Sequence, residues 1–266
     1  MSVYLGAGST AHKMSKLYVG VSGQARQVQK VYVGVGGQAR LVYQSGQPIG
    51  GLAVGSIVKI KVNGVSKDFI VVQQGNPNTN IYDASCDGTW LLMKDIYENR
   101  AWNSSNTNEY ANSTIFSYLN STLLNLFESN IKNAIKQVKI PFRRWSGGNT
   151  TVTSGSNGLS TKIFLLSATE TGFSFSYMPI GEGAELAYFE GCVDNSSDSK
   201  RSAYLNGSAA SWWLRSPYCY SQSTLTLYVS SDGDWGNGYS TDLHGIRPAL
   251  ILPSTTLVDE SGNVIR

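Results

Sequence analysis

The residues able to do chemistry are few, and their spacing does not combine them. Histidine occurs only at His12 and His244, so a Ser-His-Asp or Cys-His arrangement would depend on His244. No G-x-S-x-G nucleophile elbow is present, and Ser154-Gly-Ser156 sits in a Gly/Ser/Thr/Asn loop rather than between a strand and a helix. Cys86, Cys192 and Cys219 form no C-x-x-C and have no nearby cation in sequence to activate a thiolate. Their odd number argues against a disulfide framework and fits reduced thiols made in a cytoplasm. The H-x-x-x-H and C-x-x-C metal spacings are absent. Asp232-Gly-Asp234 lacks the later ligands and terminal Glu of a calcium loop and reads as a D-G turn. Gly6-Ala-Gly8 is followed by no helix that could present a phosphate. Glu182, Glu185 and Glu190 read as the solvated side of a short helix spanning 182–189. The expectation is a non-enzyme with no cofactor and no metal.

A recognition surface is the better candidate. From Tyr218 to His244 the chain has no Lys, Arg or Glu, and sets four tyrosines and Trp235 among Ser, Thr, Asp, Asn and Gly. That mixture supplies rigid aromatic contact area with small, adaptable hydrogen-bonding groups. Leu225, Leu227 and Val229 alternate with Thr224, Thr226, Tyr228 and Ser230. Successive residues of a strand face opposite ways, so the apolar set should enter the core and the polar set should face out. A Tyr-rich β-surface without a ligand is the other open reading of this composition.

Short elements must position that segment. Lys16–Gln29 is repeated at once by Lys30–Tyr43, with a degenerate copy from Ser2 to Ser15. Each unit reads as strand, Gly-containing turn (Ser22-Gly23, Gly36-Gly37), strand. Residues 1–45 are thus a hairpin-repeat arm for attachment or oligomerisation, 46–55 a linker, 56–253 the main domain and 254–266 a tail. The domain opens with Ile57–Val62, an Asn63-Gly64 turn and Asp68–Val72, a hairpin pattern. Ile115, Phe116, Leu119, Leu123, Leu126 and Phe127 share one helical face behind an Asn112 or Ser113 N-cap. Ile131, Ala134, Ile135 and Val138 repeat the pattern until Pro141 stops it. Ile163–Leu166 reads as a buried strand.

Charged residues make up only 15% of the chain, and 28 glycines accompany 15 tyrosines, which favours strands and ordered polar loops over long helices. Net charge is +3. Lys13, Lys16, Arg26, Lys30 and Arg40 all fall in the first 45 residues, where no acid occurs. These cations are singly spaced, so a solvated face is expected rather than a nucleic-acid site. No secretory signal pattern opens the sequence, and no apolar run approaches the ~20 residues of a membrane span.

Two motifs carry a family resemblance. Trp212-Trp-Leu-Arg-Ser-Pro217 and Gly245-Ile-Arg-Pro-Ala-Leu250 bracket the candidate segment. They resemble the C-terminal motifs of C-type-lectin-like variable proteins of diversity-generating retroelements, whose fold is shared with formylglycine-generating enzymes. The likeness runs from about Val54 to Leu252 and includes Tyr82–Leu92 and Lys94–Arg100. It implies an α+β, C-type-lectin-like domain in which Trp212, Trp213, Leu214, Arg215, Ile246, Arg247 and Pro248 are framework. The ligand-binding set would be Tyr218, Tyr220, Ser221, Gln222, Thr224, Thr226, Tyr228, Ser230, Asp232, Asp234, Trp235, Asn237, Tyr239, Asp242 and His244. The hairpin units resemble N-terminal modules of phage tail proteins.

The resemblance therefore implies a phage-encoded receptor-binding protein, made in the bacterial cytoplasm and carried on the virion. Its partners would be a bacterial surface protein or glycan, other tail proteins and further copies of itself, without nucleic acid or membrane insertion. A structural tail or baseplate component without a diversified site is the alternative. Cys219 lacks the close second cysteine of the formylglycine-generating branch. Neither Asn76-Pro-Asn78 nor Gln47-Pro-Ile49 matches the calcium-dependent sugar motifs.

Overall fold

Turn chemistry sets the local architecture of the N-terminal units. A two-residue turn with both residues in the left-handed region matches the twist of the strands it joins. Ser22 and Gly23 take φ of 52° and 78°, and Gly36 and Gly37 take 60° and 78°. They join Tyr18–Val21 to Gln24–Gln27 and Lys30–Val35 to Gln38–Gln44. The degenerate first unit pairs Tyr4–Ala7 with Thr10–Lys13. This is a computed structural model, and it describes residues 4–7, 10–13, 17–28, 30–143, 151–192, 196–219 and 224–265. Tyr18, Val19, Val21, Tyr32, Val33 and Val35 of the hairpins are exposed.

The main domain is built on two five-stranded sheets. The first orders its strands Ile163–Phe164, Ala249–Leu252, Thr89–Met93, Val65–Gln74 and Ile57–Val62, all antiparallel. Its Asn63-Gly64 turn is another left-handed pair, at 51° and 74°. Thr89–Met93 is buried along its whole length, because side chains on both faces enter core clusters. Leu91 and Met93 join one cluster, and Trp90 and Leu92 another. The second sheet orders Glu98–Ala101, Leu243–Ile246, Trp212–Pro217, Leu225–Val229 and Trp235–Tyr239, with one parallel pairing between the second and third.

The expected α+β, C-type-lectin-like class is overturned. The described residues form a β-rich fold whose two α-helices, Thr114–Tyr118 and Ser129–Ala134, have five and six residues. Ser113 caps the first, its Oγ accepting from Phe116 N at 3.2 Å. That helix continues as a π turn over Leu119–Leu123 and a 3-10 turn over Leu124–Leu126. Polar side chains explain the change. Asn120 Nδ2 and Ser121 Oγ donate to the carbonyls four residues back, and Asn120 Oδ1 accepts from Lys162 N and Ile163 N, which competes with a regular α ladder. Val138 leaves the expected second helix for a strand, Val138–Ile140, paired with Leu159–Thr161. No helix forms over 182–189, where Leu186 N donates to Glu170 O and Tyr188 N to Val72 O.

The stretch expected as a linker, 46–55, and residues 254–265 of the expected tail pack with the domain. Gln47–Pro48 pairs with Leu257–Val258, Ile49 is fully buried, and Ile49 N donates to Thr256 O at 2.7 Å. Only glycine fits at 46, where an added Cβ would lie 2.4 Å from Val258 O at φ +81°.

Candidate functional site

The segment from Tyr218 to His244 is held by strands that are themselves buried in the core. Trp212–Pro217 is buried at every position. A guanidinium taken out of water needs partners for all its donors, and Arg215 has them. It makes a bidentate pair with Glu170 at 2.5 and 2.7 Å and donates to Pro141 O, Leu165 O and Glu182 O. Tyr82 OH also donates to Glu170, at 2.7 Å. Glu182 accepts from Ser216 Oγ and from Arg143 N, and burial raises its pKa. Arg143 in turn reaches Cys219 Sγ at 2.9 Å. Burial still pushes that thiol up to about 11, so Cys219 is neutral rather than nucleophilic.

On the other bracket, Arg247 Nε donates to Met93 O at 2.9 Å and its guanidinium lies over the Trp212 ring. Its Nη1 finds no partner among the described residues, and burial lowers its pKa to about 10.

Between the brackets the chain makes a hairpin. Leu225–Val229 pairs antiparallel with Trp235–Tyr239, Thr226 opposite Gly238 and Tyr228 opposite Gly236. Leu227 and Val229 are fully buried in a core that includes Trp212 and Leu214, and Leu225 is half-buried. The expectation that the alternate set faces out is corrected. Thr226 is fully buried, and Tyr228, Thr224 and Ser230 are half-buried. That face is covered by the chain from Trp102 onward. Asn108 Nδ2 donates to Leu225 O, Asn103 N to Ser240 O and Trp102 Nε1 to Leu214 O. The Tyr228 ring stacks on His244 at 4.2 Å and meets Trp213 edge-on at 6.0 Å. It occupies the space over Gly236, where an added Cβ would lie 2.4 Å from the ring.

His244 is likewise held in place. Its Nδ1 lies 2.5 Å from Ser211 Oγ, and its ring meets Trp213 edge-on at 4.4 Å. Burial lowers its pKa. Asp242 Oδ2 instead accepts from Tyr239 N, so Ser211 and His244 form a fixed pair rather than a relay to a carboxylate. Among the described residues no group of three or more His, Cys, Asp or Glu side chains could hold a metal, and no helix is long and apolar enough to cross a membrane.

The exposed part lies along the outer edge. Ser230 N donates to Asp234 O and Ser240 N to Thr224 O. Hydrogen-bonded and non-bonded pairs alternate in an antiparallel ladder, so the main-chain groups of Trp235, Asn237 and Tyr239 point to the open edge. Two of their N–H groups are capped, Trp235 N by Asp234 Oδ1 at 2.7 Å and Tyr239 N by Asp242 Oδ2 at 2.9 Å. Such caps blunt an edge that would otherwise invite strand addition. Asp232 accepts from Ser230 and Ser197 and is held down to about 2 by those bonds.

Asn237, Asp242 and Tyr239 are exposed, Tyr239 at 54%. Trp235 and Tyr218 are half-buried in a row of rings. Phe175 stacks on Trp235 at 4.3 Å, Trp235 lies 6.5 Å from Tyr218 at 16°, and Tyr218 is 5.8 Å from Tyr177. Tyr220, Ser221 and Gln222 lie outside the described residues. Sequence reasoning missed Phe175, Tyr177, Ile180 and Leu243, the last two 87% and 69% exposed. The clue was present in Phe173–Ile180, an apolar stretch free of charge.

Residues 87–254 match the family described as a domain of unknown function (DUF6273), so the chain belongs to that family. The match spans both brackets and the segment between them. No curated protein and no solved structure matches the chain.

Proposed function

We propose that this DUF6273 family member is a phage-borne recognition protein rather than an enzyme. Its hairpin arm attaches it to the virion, and its segment between Trp212–Pro217 and Gly245–Leu250 contacts a bacterial surface protein or glycan. The carrying observation is the contrast within that segment: fully buried brackets hold an edge strand whose Asn237 and Tyr239 are exposed. Such a surface changes its side chains without disturbing the core, as diversification in the manner of retroelement variable proteins requires. Substitutions at exposed positions leave stability nearly unchanged, whereas those in a packed core do not.

The test is adherence to host bacteria. Replacing Trp235 and Tyr239 with Ala, in protein shown by its melting curve to be folded, is expected to abolish it. Undiminished adherence would sink this reading. The exposed apolar side chains of the hairpins favour a second reading, a structural tail component that docks through its arm alone. Sister isolates identical from Tyr218 to His244, with no template copy of that segment nearby, would decide for it.

A further inference from the structure

The row Phe175, Trp235, Tyr218 and Tyr177 shares a face with Asn237 and Tyr239. Trp235, Asn237 and Tyr239 alternate along one strand and stand opposite Val229, Leu227 and Leu225, so their side chains emerge on one side. Tyr177 and Tyr239 are 41% and 54% exposed. Cys219 N donates to Tyr177 O at 2.9 Å, which ties the 175–180 stretch to this face.

Charge around the face has one sign. From Gly172 to Gly191 and from Tyr218 to His244 the sequence has no Lys or Arg, although the whole chain is +3. Asp234 precedes Trp235 and Asp242 follows Tyr239, so a carboxylate stands at each end of the edge strand, with Asp232 in the adjoining turn. The cations nearby are two buried arginines and one exposed lysine. Arg143 and Arg201 are buried, and Lys200 Nζ donates to Glu190 O at 2.9 Å.

The molecule already uses rings and a carboxylate together to hold a guanidinium. Arg100 lies 3.6 Å from the Tyr118 ring centre and 2.7 Å from Glu98. Cations are drawn to ring faces and to carboxylates together.

Building on the recognition reading above, we propose that this aromatic face binds a cationic polypeptide segment. Its Lys or Arg side chains lie on the exposed rings and reach the carboxylates of Asp232, Asp234 and Asp242 at the rim.

The test uses the full-length protein and fluorescein-labelled nona-arginine, with nona-glutamate as control, at about 50 mM salt where screening is modest. Nona-arginine is expected to bind saturably and nona-glutamate not to bind. Asp232→Asn, Asp234→Asn and Asp242→Asn together should weaken binding roughly tenfold, since Asn keeps an acceptor for each backbone contact while removing the charge. Trp235→Ala with Tyr239→Ala should weaken it as much. Absent nona-arginine binding, or binding that both folded variants leave unchanged, overturns the proposal. If the Trp235/Tyr239 variant loses adherence to bacteria while nona-arginine never binds, the cationic class falls and recognition stands. Unchanged adherence removes the recognition reading itself.

Discussion

The two five-stranded sheets divide buried strands from exposed ones. In the first, Thr89–Met93 is covered on both faces and every position is buried; in the second, the outer strand Trp235–Tyr239 has no buried residue. Trp212–Pro217 belongs to the second sheet yet is buried throughout, tied by Arg215 and Glu170 to the core shared with the first. The lesson is that exposure rises with distance from this anchored strand. One strand away, Thr226 and Tyr228 are already packed; two strands away, Asn237 and Tyr239 are exposed.

The sharpest way to break the division is at the anchor. Glu170→Gln removes the carboxylate paired with the buried Arg215 guanidinium, and such losses cost about 3–5 kcal/mol. A fall in unfolding free energy of that size, measured by denaturant titration, is expected, and little change would mean that Arg215 finds other partners.

The next effect is smaller and separates two neighbours on the display strand. Gly236→Ala drives a Cβ into the Tyr228 ring and should cost about 1–3 kcal/mol. Asn237→Ser, one residue on, should stay within about 0.5 kcal/mol. Equal losses at both would erase the distinction between packed and exposed positions within the strand.

The smallest effect is a pH dependence at His244. Its folded pKa lies below its ordinary value of 6.5, so the unfolded chain binds the proton first. Stability is unaffected above that value and falls as pH drops below it, levelling off below the folded pKa. His244→Gln should flatten that part of a stability-against-pH curve, and a curve identical to wild type would remove His244 as its source.

Much of the local structure was legible. Asn63-Gly64 between alternating apolar runs specified a hairpin, and the duplicated Gly turns specified two more. The burial of Trp213 and Leu214 followed from their type, and the need of Arg215 for partners followed from its charge. Which carboxylate answers it did not, because Glu170 lies 45 residues away in an unremarkable Thr-Glu-Thr run. Alternation correctly grouped Leu227 with Val229 and Thr226 with Tyr228, but period-2 patterning says nothing about whether the polar side is covered. The chain from Trp102 to Asn108 covers it. Helical periodicity over 115–127 was real as well, while the side-chain bonds of Asn120 and Ser121 to the backbone turned one long helix into three short turns.

The pairing of Gln47–Pro48 with Leu257–Val258 brings the two ends of the domain side by side. A domain closed in this way leaves the 14-residue hairpin units as sheets of their own, outside both five-stranded sheets.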